Sequence, residues 1–146
     1  MAAFQKYHKF LKGQFNGDHG IDFDTDTIKV ALVSSAYTPT PQTHEFFSDI
    51  TAEVTGGNYA SGGSALANKT LEVDAGGTVR FKADNTTWQA SGTGFTNARY
   101  AILYKSTGVA STSPVIAYLD LGQNYGNAAG DFSLRYDAIN GIFAIA

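Results

Sequence analysis

Asp22, Asp24 and Asp26 stand at every second position, the spacing with which a calcium-binding loop begins. Such a loop also needs glycine at its sixth position and glutamate at its twelfth. Those positions hold Thr27 and Val33, so an EF-hand is excluded. The three carboxylates read instead as a solvated edge leading into a strand at Ile28. His8, His19 and His44 are the only histidines, and no two lie four residues apart on a helix face. The chain has no cysteine, which excludes disulfides, thiolate chemistry and cysteine-based zinc or iron-sulfur sites. Gly62-Gly63-Ser64-Ala65-Leu66 approaches a nucleophile elbow but lacks the closing glycine and the right flanks. Gly92, Gly94 and Asn97 make no dinucleotide fingerprint, and no phosphate loop occurs. The acidic pair Asp49 and Glu53 is of a kind found in most proteins and does not point to glycoside chemistry. The expectation is a non-enzymatic chain with no metal and no cofactor.

Binding chemistry is the next possibility, because the chain holds 8 Tyr, 10 Phe and 1 Trp. A base-stacking platform needs aromatics on a basic face. Only Arg80-Phe81-Lys82 comes near this, and Phe81 alternates inward. With 10 basic against 13 acidic residues and a net charge of -3, no nucleic-acid partner is expected. An exposed aromatic platform for a glycan would draw on Tyr59, Trp88 and Tyr125.

The elements that must position these groups follow from periodicity and turn chemistry. In residues 4–15, Phe4, Tyr7 or His8, Leu11 and Phe15 recur every three to four positions, which predicts a short amphipathic helix. Gly13 weakens its last turn and Asn16-Gly17 ends it. Residues 1–17 carry three lysines and no acid, whereas 18–26 carry four aspartates. This split suggests local pairing or a head-to-tail contact between subunits. The helix is accordingly read either as a cap on the core or as an arm that docks on a neighbour through Phe4, Tyr7, Phe10 or Leu11.

Residues 28–34 and 99–105 are apolar on both faces and predict interior strands. Pro39 and Pro41 interrupt the chain, and 43–50 predicts a helical turn capped by Thr43 with Phe46, Phe47 and Ile50 inward. Further strands are expected at 66–73, 79–83, 86–89 and 115–121, the last followed by a loop over 122–130. Asn140-Gly141 is the favoured pair for a type I′ hairpin turn. Folding 132–139 back on 142–146 across it collects Phe132, Leu134, Tyr136, Ala138, Phe143 and Ile145 on one face. The pattern predicts an all-β fold: a β-sandwich or partly open barrel of about seven to nine mostly antiparallel strands, with a short N-terminal helix. The domain organisation read from it is an N-terminal helix or arm over 1–17 and a single β-domain over 18–146.

A chain of 15.5 kDa should fold to a surface of roughly 7,200 Å², which buries enough for a core without staples. Charged residues make up 16%, low against the usual quarter, and suit subunit packing. No apolar run is long enough to span a bilayer, so no membrane contact is expected. Lys6, His8, Lys9 and Lys12 interrupt any apolar signal region, which predicts synthesis in the cytoplasm without a signal peptide. The glycosylation patterns at Asn68 and Asn85 are then chance matches.

One resemblance adds to this reading. The segment DFDTDTIKVALVSS at 22–35, Tyr37-Thr38-Pro39 and THEFFSDI at 43–50 with Glu53 resemble, in order and spacing, a family of small structural proteins of tailed-bacteriophage virions. So do Gly57, Tyr59, Gly62-Gly63 and LANKT at 66–70, then Phe81-Lys82-Ala83-Asp84 with Trp88, Ala98-Arg99-Tyr100-Ala101 with Tyr104-Lys105, and Ser113-Pro114. The resemblance spans nearly the whole chain from about residue 4. It implies a place in the virion, with capsid decoration as the leading expectation and a tail, neck or fibre protein with a carbohydrate or receptor role as the alternative. Its partners would be copies of itself, as a homo-oligomer or lattice, and other virion proteins, the major capsid protein first. The family implies no catalytic residue.

Overall fold

The computed structural model describes residues 3–146. Ten strands, one α-helix and two 3-10 turns are found among them. In chain order they are β1 (Gln5–Lys6), α1 (His8–Asn16), β2 (Ile28–Val33), a 3-10 turn at Phe47–Asp49, β3 (Ser64–Ala65) and β4 (Thr70–Val73). Then come β5 (Val79–Lys82), β6 (Thr86–Trp88), β7 (Ala98–Lys105), a 3-10 turn at Ala110–Thr112, β8 (Val115–Tyr125), β9 (Phe132–Leu134) and β10 (Phe143–Ile145). The strands form three antiparallel sheets, ordered β1-β8-β7-β2-β3, β10-β5-β4 and β6-β9. The surface is 7309 Å², close to that expected from mass. No helix among the described residues is long and apolar enough to cross a membrane.

The two runs with apolar residues on both faces lie inside the largest sheet. Strand β7 runs between β2 and β8, with Ile28 opposite Lys105 and Val33 opposite Tyr100. Ile28, Val30, Ala31, Leu32 and Val33 are all fully buried. Short β3 covers only the first part of β2. Beyond it the Leu32 N–H donates to the Tyr59 hydroxyl at 2.9 Å, Val54 N donates to Leu32 O and Ser34 N to Ala52 O. Each main-chain group that β3 leaves open thus finds a partner, as buried backbone must.

The N-terminal segment departs from expectation. Residues 5–6 are extended and pair with β8, Tyr7 N donates to Ile116 O, and the helix starts only at His8. The three-residue step from Phe4 to Tyr7 matches a helical period, and hydrogen bonding of the main chain to β8 overrides it. Gly13 lies within the helix, with the His19 ring packed where a Cβ would lie, and Gly17 closes the helix at φ +82°. Phe4, Tyr7 and Phe10 are buried in the same core cluster as the β-strands, and Leu11 packs half-buried against it. The docking role of Phe4, Tyr7 and Phe10 is therefore corrected, because these side chains are covered by their own chain; Leu11 keeps part of its surface exposed.

The C-terminal hairpin is also corrected. The turn spans 138–140 and is closed by Gly141 N donating to Asp137 O at 2.8 Å. The Asp137 carboxylate accepts the main-chain N–H of Ile139 and of Asn140, which drives a three-residue turn. Only Gly141 of the Asn-Gly pair has positive φ, so the type I′ geometry does not form. Strands β9 and β10 then diverge, β9 to β6 and β10 to β5. Phe143 is buried as expected, while Ile145 is half-buried.

Two smaller differences follow from backbone geometry. Of the strand expected over 66–73 only β4 forms, after a break at Asn68, at φ +51°; β3 already ends at Ala65. Strand β8 continues to Tyr125 through a bulge opposite 98–100, so the expected loop at 122–130 begins later.

Candidate functional site

The aspartates of 22–26 close on themselves. Asp22 N donates to Asp26 Oδ2 at 2.8 Å, Asp26 N to Asp22 O, and Thr25 N to Asp22 Oδ1. Lys105 Nζ lies 3.0 Å from Asp26 Oδ2, and Lys69 donates to the Asp26 carbonyl. Burial would raise the Asp26 pKa. The Lys105 bond, the Asp22 main chain and the two lysine charges outweigh it and hold the pKa below the usual carboxylate value. Among the described residues, no three histidine or acidic side chains converge as metal ligands.

The histidines serve separate contacts. His19 Nε2 is 2.7 Å from Glu45 Oε1, joining the end of the N-terminal segment to the 37–50 loop. His44 Nδ1 is 2.8 Å from the Tyr37 hydroxyl, which lies 2.7 Å from the buried Tyr7 hydroxyl. Burial pushes both phenols up, Tyr37 to about 12, so they remain protonated links rather than bases. Glu53 fixes the glycine-rich loop: its Oε1 accepts from the Tyr59 hydroxyl at 2.8 Å and from Gly62 N at 2.6 Å. Ser64 sits in β3 opposite Val30. These polar groups tie loops to the sheet.

The three residues nominated for a glycan platform do come together, but inside the protein. Trp88 stacks near Tyr59 and Phe132 at 6.3 and 5.9 Å, Phe95 meets all three edge-on, and Tyr125 lies 5.2 Å from Phe132. Tyr59 and Trp88 are buried, so the platform as nominated is corrected; only Tyr125 keeps a partly exposed ring. Aromatic side chains bury large areas and gather in cores, and here Phe95 and Phe132 supply the partners.

Tyr125 borders a cleft of about 870 Å³ between β8 and β9. It is lined by Leu121, Tyr125, Phe132 and Leu134 together with Asp120, Asp131 and Arg135. The Arg99 guanidinium grips Asp120 with two bonds, 2.8 and 3.2 Å, and Gly122 N adds a third. Arg99 is the leading reason that Asp120 is held below the usual carboxylate range. Asp131 accepts from Ala90 N at 2.7 Å. Sequence reading reached Tyr125 but not its acidic and basic neighbours, which lie on β8 and at the two ends of β9, brought together only by the fold.

A second open surface is β4. All four of its residues are exposed, including Leu71 and Val73, and its outer edge is the end of a sheet. Alternation of Leu71 and Val73 with Glu72 was the available signal, absorbed in the expected strand over 66–73. Comparison with protein-family models, with curated proteins and with solved structures finds no match to this chain.

Proposed function

We propose that this chain is a structural subunit of a tailed-phage virion, and specifically a capsid decoration protein bound in many copies. It works through surface contacts with the major capsid protein and with its own neighbours. The observation that carries this reading is the open edge strand β4, with Leu71 and Val73 exposed on a β-domain poor in charge. Exposed apolar side chains beside an unpaired strand edge favour protein contact. The resemblance to small virion proteins supports the same reading. The test is the copy number of the chain in purified particles. Hundreds of copies support decoration; a small symmetric number assigns the protein to neck, tail or fibre; absence from particles removes the reading.

The cleft at Tyr125 favours a second reading, a glycan-binding tail or fibre protein. An aromatic ring beside a carboxylate and a guanidinium suits a sugar, with the ring against its apolar face and the charged groups on its hydroxyls. Loss of binding to host-cell glycans in a Tyr125→Ala variant would support it, and unchanged binding would remove it.

A further inference from the structure

The main-chain groups of β4 alternate in direction. Asp74 N donates to Thr78 O, and Ile142 N donates to Phe81 O on the opposite side of β5. In the β4–β5 register, Thr70 lies opposite Lys82, Leu71 opposite Phe81, Glu72 opposite Arg80 and Val73 opposite Val79. Thr70 and Glu72 therefore turn their N–H and C=O toward β5, and Leu71 and Val73 turn theirs to the open edge. Side chains alternate as well. Leu71 and Val73 share the face of Phe81 and Phe143, which are buried. That face runs out of cover at β4, where Leu71 is 39% and Val73 67% exposed. Thr70 and Glu72 share the other face with Arg80 and Lys82, and Lys82 Nζ is 2.6 Å from Glu72 Oε2.

We propose that this edge is occupied by β4 of a second copy, antiparallel across a two-fold axis perpendicular to the sheet, with Leu71 opposite the partner's Leu71. This deepens the assembly role proposed above and names one of its contacts. The axis keeps both apolar faces on one side, so residues of like parity must meet. Charge then chooses among the registers. Centring on Glu72 sets two carboxylates directly opposite each other, and centring on Val73 sets Glu72 opposite the partner's Asp74. Centring on Thr70 puts Leu71 against the partner's Lys69 and carries Val73 to the partner's Ala67, past the left-handed break at Asn68. Centring on Leu71 joins two leucines, places each Glu72 beside the partner's Thr70, and leaves every Glu72–Lys82 pair intact. Val73 then lies across from the partner's Lys69, whose amine is drawn away to the Asp26 carbonyl, leaving the aliphatic stem for contact. The result is a six-stranded sheet with an isologous interface. A four-residue edge makes a small, reversible contact in solution. On a shell that holds many copies in place, effective concentration strengthens it.

The chain has no cysteine, so single cysteines report the register directly. Directly opposite residues of a hydrogen-bonded pair lie about 5.5 Å apart at Cα, within disulfide reach. Diagonal neighbours two residues off lie at about 8 Å, beyond it. Under mild oxidation, Leu71→Cys should shift to a disulfide-linked dimer. Thr70→Cys and Glu72→Cys should each stay monomeric alone and cross-link when mixed. All three positions are exposed, and circular dichroism is used to check that each variant is folded. A monomeric Leu71→Cys protein, or equal cross-linking by Thr70→Cys alone, overturns the pairing. Co-sedimentation with particles is scored separately. A chain present in particles whose Leu71→Cys form never cross-links removes the pairing and leaves the decoration role. One that cross-links but never co-sediments keeps the pairing and removes that role.

Discussion

Phe10 and Phe143 are predicted to be coupled within one chain. Phe143 stacks on Phe81 with ring centres 4.1 Å apart and planes 14° from parallel, and Phe10 meets its edge at 6.2 Å and 87°. Phe143 is 6% exposed and Phe10 3%. Truncating Phe143 to alanine should cost about 3–5 kcal/mol, the sum of lost transfer energy and a residual cavity. Unfolding entropy near 2.1 cal/mol/K per residue makes 1 kcal/mol worth roughly 3 °C in a chain of this length, so the midpoint should fall by about 10–16 °C. The coupling is measured in a cycle of Phe10→Leu and Phe143→Leu, so that the double variant stays folded. The double loss should be smaller than the sum of the single losses by about 0.5–1.5 kcal/mol, the value of one aromatic pair. Fluorescence of the only tryptophan, the buried Trp88, follows urea unfolding. The coupling should be independent of protein concentration, because both rings belong to one chain. Additive losses, or a coupling that grows with concentration, would refute the intramolecular packing and restore Phe10 as an external docking residue.

Asn127→Ala should cost about 2–4 kcal/mol in the same assay, because it strands the buried Phe95 N–H and removes the bond to Gln89 O. Gly63→Ala should be among the most damaging single changes: φ is +80° and the added Cβ would overlap the Val30 carbonyl, whereas Gly77→Ala, at φ +85° in open space, should cost only about 1–2 kcal/mol. Asn140→Ala should change stability by no more than about 0.5 kcal/mol, since the turn keeps Asn140 out of the left-handed region and its side-chain bonds are exposed. Asp120 has a folded pKa below its unfolded value near 3.9, so its pairing with Arg99 stabilises above about pH 4 and is lost as pH falls through the lower folded value. Denaturation across that range should show wild type converging on Arg99→Gln at acid pH; a gap unchanged down to about pH 2 would refute this.

What was legible in the residues depended on how many partners a pattern constrains. Two-faced apolar runs constrain burial on both sides, and β2 and β7 are interior strands as expected. The C-terminal pattern constrained less. Alternation in 132–136 and 143–145 says which face of each strand is inward, but not which strand lies beside it. Asn140-Gly141 is the local signal that would name that missing neighbour. The Asp137 carboxylate instead takes two N–H groups of the turn, and β6 and β5 offer each flank a longer-range partner. A local turn preference worth little more than a hydrogen bond yields to sheet pairing and burial of Phe143.

Surface function was harder to read for a related reason. Aromatic residues advertise a binding platform and a core with the same letters. The sequence nominates Tyr59 and Trp88 for an exposed platform, yet Phe95 and Phe132 pack against them in the core. Leu71 and Val73 present the converse. Their alternation with Glu72 matches an ordinary inward face, and nothing local reports that the core ends before β4 does. Exposure there is a property of the sheet's extent, set by where Phe81 and Phe143 stop being covered. The open edge and its apolar face both result from β4 being the last strand. Because alternation ties side-chain face to hydrogen-bond direction, the exposed leucine and valine are also the two residues whose backbone groups lack a strand partner. A partner that satisfies one requirement is therefore placed to satisfy the other, and a second β4 does so with matching parity and without opposing its carboxylates.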